Sequence, residues 1–199
     1  MRIYADTANL ADIERLDSHP WVSGFTTNPT IFKAAGVTDP LKHASDIVAR
    51  TNKPVSIDGP PERVWMLAEN AIPKVVHPLD EVKPVHDWIN HTAVFLPSQI
   101  VSVSGFYTRR DIISVFAGRI MDTGQSPFEV IKKAKQTGAQ VLWASTRELA
   151  HIASAMQCGC DIITMTPDLI DKMDRFWGMP IEAMMDETIA MFERDRVAW

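Results

Sequence analysis

Cysteine is scarce in this 199-residue chain, which contains only Cys158 and Cys160. Their Cys-Gly-Cys spacing is too tight for an ordinary disulfide, and two thiols are too few for a structural zinc site. The histidines fall in different predicted elements and show no metal-ligand spacing. We therefore expect buried, reduced thiols, a reducing compartment and no bound metal.

An excess of positive charge is also absent, as are long apolar runs. Asp and Glu number 25 against 20 Lys and Arg, a net charge of −5, which argues against nucleic acid or an anionic membrane as a partner. No apolar run approaches the roughly 20 residues of a membrane span, and the first residues lack the apolar segment of a signal peptide. We expect a cytoplasmic protein that binds any anionic substrate through a local cluster of Arg or Lys.

Hydrophobic residues make up 46% of the chain, enough for a sizeable core, and the length favours one domain over residues 1–199. Short apolar runs recur at roughly even spacing, and most precede a stretch long enough for a helix. These runs are residues 3–6, 22–28, 55–58, 74–76, 92–95, 112–116, 141–145 and 162–166. Eight strand–helix units predict a parallel (β/α)8 TIM barrel.

Helix signals lie between these runs, because proline or a capping residue marks several starts and glycine marks several ends. The first helix begins near residue 10. The others are predicted over 31–35, 40–50, 62–70, 79–89, 97–103, 127–137, 148–156, 167–176 and 181–194. The last of them follows the eighth strand–helix unit, so we expect an extra C-terminal helix.

Polar residues stand where several predicted strands end. Asp6, Asn28, Asp58 and Ser145 occupy such positions, and the carboxyl ends of barrel strands build the active site in this fold. The strand pattern therefore selects these four as candidate functional residues. For Asp6 the alternative is a cap of the first helix, and for Asp58 it is a turn before Gly59.

The strand ends, read together, resemble the transaldolase family, and especially the small subfamily that includes fructose-6-phosphate aldolase. The motifs that carry the resemblance are Asp6-Thr7-Ala8-Asn9, Gly24-Phe25-Thr26-Thr27-Asn28-Pro29-Thr30, Val55-Ser56-Ile57-Asp58, Thr92-Ala93-Val94-Phe95, Ile113-Ser114-Val115-Phe116-Ala117-Gly118-Arg119-Ile120, Val141-Leu142-Trp143-Ala144-Ser145-Thr146-Arg147 and Gly159-Cys160-Asp161-Ile162-Ile163-Thr164. They span almost the whole chain. The resemblance implies phosphorylated sugar substrates, no cofactor, and a homo-oligomer such as a pentamer or decamer.

The same resemblance implies Schiff-base chemistry on a strand-4 lysine, for which Lys74 is the candidate. The lysine condenses with a ketose carbonyl, and the iminium then accepts electrons as the bond between C3 and C4 breaks. Such an amine must be neutral, and burial favours the neutral form. Asp6 takes the family's general acid/base position. Asp58 and Thr92 are expected to hold the catalytic water.

The remaining family positions imply substrate binding. Thr27 and Asn28 would contact substrate hydroxyls, although Asn28 could instead satisfy backbone groups. Ser114 and Phe116 match the family's strand-6 motif. Two guanidinium groups and a hydroxyl, from Arg119, Arg147 and Ser145, would bind a phosphate with charge-assisted hydrogen bonds. The alternative for the arginines is ion pairing with Glu148 or Asp122.

Three activities stay open at this point. The first is transfer of a dihydroxyacetone unit between sugar phosphates. The second is an aldolase that releases dihydroxyacetone. Asp58 stands where transaldolases carry Glu and the aldolases Gln, and Phe116 stands where the aldolases carry Tyr, so both favour transfer. The third is a non-catalytic sugar-phosphate-binding protein, because the family's strand-4 proline falls two residues late, at Pro78. If His77 rather than Lys74 aligns with the family lysine, the nucleophile is missing.

Overall fold

The computed structural model describes residues 1–76, 88–102 and 105–197. Its strands are parallel and pair in chain order until the eighth pairs with the first, which closes a barrel. The strands are β1 (Arg2–Asp6), β2 (Val22–Thr26), β3 (Val55–Asp58), β4 (Ala71–Val76), β5 (Asn90–Val94), β6 (Ile112–Val115), β7 (Gln140–Trp143) and β8 (Ile162–Met165). The predicted (β/α)8 barrel is confirmed.

Helices connect most of these strands and cover the outside of the barrel. They are α1 (Leu10–Asp17), α2 (Pro29–Ala34), α3 (Pro40–Val48), α4 (Pro61–Trp65), α5 (Ala117–Asp122), α6 (Phe128–Lys135), α7 (Ala150–Gln157), α8 (Pro167–Phe176) and α9 (Ile181–Asp195), with a 3₁₀ turn at Pro97–Gln99. No helix in these described ranges is long and apolar enough to cross a membrane.

Local sequence explains where several helices begin. The Asn9 side chain accepts hydrogen bonds from the backbone N–H groups of Ala11 and Asp12, and so caps α1. Proline occupies the first turn of α2, α3, α4 and α8, where its missing N–H costs nothing and its fixed φ suits a helix. Asn9 therefore takes the capping role considered for Asp6, which leaves the Asp6 carboxyl outside that cap.

Alternation along the strands divides the core into two layers. Inside the barrel, Tyr4, Ile72, Ile112, Leu142 and Ile162 pack in one cluster with Ala144, and the larger cluster lies between the strands and the helices. Such burial on both faces is typical of parallel barrels. Further along the strands the interior turns polar, with buried Ser56, Asn90, Ser114 and Thr164. The strand register therefore aims polar groups into the carboxyl end of the barrel.

Glycine makes room inside this layer. A Cβ atom on Gly24 would lie 2.6 Å from the Tyr4 ring, which is well inside van der Waals contact. Gly24 and Tyr4 are register partners on β2 and β1, so the small residue accommodates the large one across the strand pair. The Tyr4 ring then occupies the lumen beneath the polar layer.

The predictions contain three errors of detail. The helix predicted over 62–70 ends at Trp65, because Asn70 turns back to donate to the carbonyls of Thr51 and Lys53. Of the helix predicted over 97–103, the described residues 97–102 contain only the 3₁₀ turn at Pro97–Gln99, and Ile100 is already extended.

The third error concerns α5, which was missed because no helix was predicted between the apolar run at 112–116 and the helix predicted over 127–137. Strand β6 stops at Val115, and Ile120 N–H donates to the Phe116 carbonyl at 3.0 Å in the first turn of the helix. Of the helix predicted over 79–89, residues 79–87 lie outside the described residues.

Candidate active site

A cavity of about 490 Å³ opens at the carboxyl ends of the strands. All eight strands contribute to its wall, together with the segments that follow β2, β6, β7 and β8. The predicted site residues in its wall are Asp6, Asn28, Asp58, Lys74, Thr92, Ser114, Phe116, Arg119, Ser145 and Arg147. The strand ends chosen from the sequence thus meet in one place.

Lys74 faces this cavity. Its neighbours in register are Asp58 on β3 and Asn90 on β5. The Nζ atom donates to Thr26 Oγ1 at 3.1 Å and to the Thr27 carbonyl at 2.7 Å. The inward orientation is the one that the lysine hypothesis requires, and Val76 also lines the cavity. His77 and Pro78, on which the alternative alignment depends, lie outside the described residues.

The ionisable groups of this pocket perturb one another. Burial lowers the pKa of Lys74, and the carboxylates of Asp6 and Asp58 oppose that shift. Burial raises the pKa of Asp6 to about 6, with the nearby Lys74 charge acting in the opposite direction. Burial also raises the pKa of Asp58. Desolvation dominates in each case, so all three groups move toward their neutral forms.

Thr27 is the predicted site residue that the structure does not place in the cavity wall. Its side chain is buried and its hydroxyl donates to the Ser56 carbonyl at 3.2 Å. Strand alternation explains the correction, because Thr26 points inward and its neighbour must point outward. The backbone carbonyl of Thr27 nevertheless reaches the pocket, as the acceptor of the Lys74 hydrogen bond.

Asn28 combines two roles that the sequence left as alternatives. Its Oδ1 atom accepts a 3.0 Å hydrogen bond from Ile31 N–H and caps α2. The residue also lines the cavity. The cap fixes the side chain where β2 leads into α2, so its amide is held at the cavity edge by the fold itself.

A buried polar chain crosses three strands beside Lys74. Ser114 Oγ donates to Asn90 Oδ1 at 2.6 Å, and Asn90 Nδ2 donates to Ser56 Oγ at 3.1 Å. Sequence reasoning predicted Ser114 but missed Asn90, Ser56 and Thr26. Strand alternation could have identified these three residues, because by register their side chains point into the barrel, as do those of Lys74, Asp58 and Asp6.

The two predicted phosphate-binding arginines lie on adjacent segments. The Arg119 guanidinium on α5 lies 5.8 Å from the centre of the Phe116 ring. Arg147 donates to Asp122 Oδ2 from both Nε, at 3.2 Å, and Nη2, at 2.8 Å. The ion pair considered from the sequence therefore exists for Arg147, which still lines the cavity together with Arg119 and Ser145.

The segment that carries Ser145 and Arg147 has an uncommon backbone. Ser145 has a φ of +63°, a left-handed conformation that costs a non-glycine residue about 1–2 kcal/mol. The Arg147 N–H donates to His151 Nδ1 at 3.4 Å, and the His151 ring meets Trp143 edge to face with 5.5 Å between the ring centres. Strain of this kind clusters at functional sites.

Neither metal-ligating residues nor the thiols add to this site. In the described part of the chain, no group of three or more His, Cys, Asp or Glu side chains is arranged to hold a metal ion. Cys158 and Cys160 are both free, after α7. Burial raises the pKa of Cys160 to about 12, so this thiol stays protonated and unreactive.

The model of the transaldolase/fructose-6-phosphate aldolase family matches residues 3–86 and 88–198. The chain belongs to this family. It is 27% identical over 195 residues to "Probable transaldolase" of Nitrosopumilus maritimus, with 87% of each chain covered. It is 28% identical, over an alignment of 219 residues including gaps, to "Probable transaldolase 2" of Listeria monocytogenes, with 98% of this chain and 95% of the relative covered.

Among solved structures, this transaldolase-family chain is similar to a 2,3-dimethylmalate lyase of the PEP mutase/isocitrate lyase superfamily. The TM-score is 0.43 at 14% sequence identity, with 99% of this chain and 84% of the other covered. A likeness at this level has no bearing on the reaction.

Proposed function

We propose that this protein is a class I, metal-independent transaldolase-type enzyme. It would move a dihydroxyacetone unit from fructose 6-phosphate to an aldose phosphate such as erythrose 4-phosphate. Family membership supports this chemistry at the level of aldolases and transaldolases. The observation that carries the proposal is the inward Lys74 amine, desolvated between two carboxylates in the cavity wall.

The hydrogen bonds of Lys74 support a role as nucleophile. A neutral amine has two N–H groups and one lone pair. Thr26 Oγ1 and the Thr27 carbonyl, both on the β2 side, can accept the two N–H groups. The lone pair is then the group left for the cavity. Attack on the ketose carbonyl would form a carbinolamine, and loss of water from it would give the iminium.

Asp6 is the proposed proton-transfer group. When the bond between C3 and C4 breaks, the C4 hydroxyl must lose its proton while the bonding electrons move into the iminium. A carboxylate with a pKa of about 6 can accept that proton near neutral pH and return it in the reverse direction to the acceptor aldehyde. Asp58 and Thr92, across the cavity wall, are proposed to hold the water that makes and breaks the carbinolamine.

Phosphate binding is assigned to Arg119, Ser145 and Arg147. Two guanidinium groups in a protein of net charge −5 form a local positive region at the cavity mouth. Charge-assisted hydrogen bonds to a phosphate dianion are among the strongest that surface side chains make. The substrate would then lie with its carbonyl toward Lys74 and its phosphate toward α5.

Transfer is favoured over release of free dihydroxyacetone because Phe116 presents an apolar ring at the cavity wall. The residue has no hydroxyl to stabilise or protonate an intermediate near the reacting oxygen. An aldolase of the same subfamily is the second candidate, and the two share every step up to the enamine. In the transferase the enamine attacks an acceptor aldehyde, whereas in the aldolase it is protonated and the resulting iminium is hydrolysed.

A product assay separates these activities. Fructose 6-phosphate is supplied with and without erythrose 4-phosphate, and the seven-carbon ketose phosphate and free dihydroxyacetone are both quantified. A transferase forms the ketose phosphate only with acceptor and releases little dihydroxyacetone without it. Lys74→Met should abolish both products. Lys42→Met, which removes an exposed lysine paired with Asp46, should leave them unchanged.

A further inference from the structure

We propose that Asp122 is a positioning residue that orients Arg147 for binding the phosphate of the substrate. This inference rests on the proposed function, since it assigns the phosphate to the Arg147 side of the cavity. Asp122 is the last residue of α5. Arg147 belongs to the cavity wall, whereas Asp122 supports it from behind and is not among the lining residues.

The ion pair uses one defined edge of the guanidinium. Both Nε and Nη2 donate to the single atom Asp122 Oδ2. A guanidinium has five N–H donors in a rigid plane, so the opposite edge, formed by Nη1 and the second N–H of Nη2, stays available. That edge presents two parallel donors, which is the arrangement that binds phosphate oxygens in a bidentate manner.

The pair has little value for stability, which leaves orientation as its main effect. The side chains of Arg147 and Asp122 are 50% and 51% exposed. Ion pairs this exposed add little to folding, because water and salt screen them. An unpaired arginine at the cavity mouth would lose side-chain entropy when it binds a phosphate. Because Asp122 already restricts the Arg147 side chain, less entropy is lost on binding.

The backbone fixes Asp122 relative to Arg147. Gly118 N–H on α5 donates to the Ala144 carbonyl at 3.1 Å, and a Cβ atom at Gly118 would lie only 1.7 Å from the Ser145 carbonyl oxygen. Helix α5 therefore touches the segment that carries Arg147 without an intervening side chain. The same short helix provides Arg119 directly and orients Arg147 through Asp122.

Orientation and simple electrostatics predict opposite results when the carboxylate is removed. Arg119, Arg147 and Asp122 carry two positive charges and one negative charge, so loss of Asp122 makes the region more positive. If net charge alone governed binding, an anion would then bind more tightly. If Asp122 positions Arg147, binding weakens despite the added positive charge.

The test measures the affinity of purified full-length protein for fructose 6-phosphate and for inorganic phosphate by calorimetry. We expect Asp122→Ala to weaken both affinities about tenfold, the effect of one misplaced charge-assisted hydrogen bond. Asp122→Asn keeps an acceptor oxygen, so its loss should be smaller. Asp46→Ala removes a comparable exposed carboxylate, paired with Lys42, and should change neither affinity.

Two further measurements show that the effect acts through Arg147. In an Arg147→Gln background, Asp122→Ala should cause no additional loss. Turnover of unphosphorylated fructose should be the same in Asp122→Ala and wild type, while KM for fructose 6-phosphate rises. Unchanged or tighter phosphate binding by Asp122→Ala would overturn the positioning role alone. Failure of the wild-type protein to bind either phosphate compound would overturn the proposed function as well.

Discussion

The side-chain nitrogen of Lys74 donates a 2.7 Å hydrogen bond to the backbone carbonyl of Thr27, the residue directly after β2. A carbonyl persists whatever side chain stands at position 27. The second acceptor, Thr26 Oγ1 at 3.1 Å, is a side-chain atom and can be removed. The position of the amine therefore depends on the sequence at Thr26 but only on the backbone at Thr27.

This difference predicts unequal effects of two neighbouring substitutions. Thr26→Val removes one acceptor of the Lys74 amine and should slow formation of a covalent adduct with fructose 6-phosphate about tenfold, the effect of roughly one hydrogen bond. Thr27→Val removes only the hydroxyl that donates to Ser56 and should leave that rate near wild type, while it costs about 1 kcal/mol of unfolding free energy. Single-turnover kinetics and urea denaturation measure the two effects. Equal rates for both variants would contradict this account.

Asp6 is predicted to reduce stability at neutral pH. Its pKa is raised from 3.8 to about 6 in the folded protein, so folding favours the protonated form, and the favourable contribution is complete below pH 3.8 and lost as the pH rises through 6. Asp6→Asn mimics the protonated form. It should raise the free energy of unfolding by up to about 3 kcal/mol above pH 7, since each pKa unit corresponds to about 1.4 kcal/mol.

The gain from Asp6→Asn should shrink as the pH falls from 6 toward 4. Urea denaturation of wild type and variant at pH 7.5 and pH 4 measures the difference, because titrating groups that do not interact with Asp6 cancel between the two proteins. The variant should also lose turnover, as expected when a desolvated catalytic group that destabilises the fold is replaced. A stability difference that is the same at both pH values would rule out ionisation as its cause.

Gly118 is predicted to be intolerant of any side chain. A Cβ atom there would stand 1.7 Å from the Ser145 carbonyl oxygen, so Gly118→Ala must push α5 away from the segment that carries Ser145 and Arg147. We expect a loss of at least about 3 kcal/mol of unfolding free energy, at or beyond the upper end of overpacking penalties, and weakened phosphate binding.

A second glycine offers a matched control for this substitution. At Gly59 the nearest atom to an added Cβ is a side-chain methyl carbon, Val64 Cγ2, at 3.3 Å. Gly59→Ala should therefore cost under about 1 kcal/mol. Thermal denaturation compares the two variants, and similar melting temperatures would show that the close approach at Gly118 is unimportant.

Strand periodicity predicted the barrel and most of its polar wall. Apolar runs that end on Asp6, Asn28, Asp58 or Ser145 identified strand ends, and the closed topology brings those ends together around one cavity. The strand pattern and the family resemblance selected the same residues, because the family motifs lie at the strand ends, where this fold builds its active site.

What the sequence left undetermined depends on orientation at single residues. A shift of the strand register by one residue would turn the Lys74 side chain from the inside of the barrel to the outside. In the structure Lys74 pairs with Asp58 and Asn90, which fixes the register. Thr27 was assigned to the site although its parity sends the side chain outward. The backbone role of Asn28 and the Arg147–Asp122 ion pair were alternatives that the sequence could not decide. The structure shows that Asn28 caps α2 while it lines the cavity, and that Arg147 is paired.

Borohydride trapping tests the central claim most directly. The protein is incubated with fructose 6-phosphate and sodium borohydride, then analysed by intact mass and by peptide mapping, with Lys74→Met and Lys42→Met in parallel. The iminium mechanism predicts one reduced adduct per chain, on Lys74, in wild type and Lys42→Met, and none in Lys74→Met. Absence of any adduct from wild-type protein that folds and binds fructose 6-phosphate would contradict the enzyme account and favour a sugar-phosphate-binding protein. An adduct on another lysine would keep the chemistry but refute the assignment of Lys74.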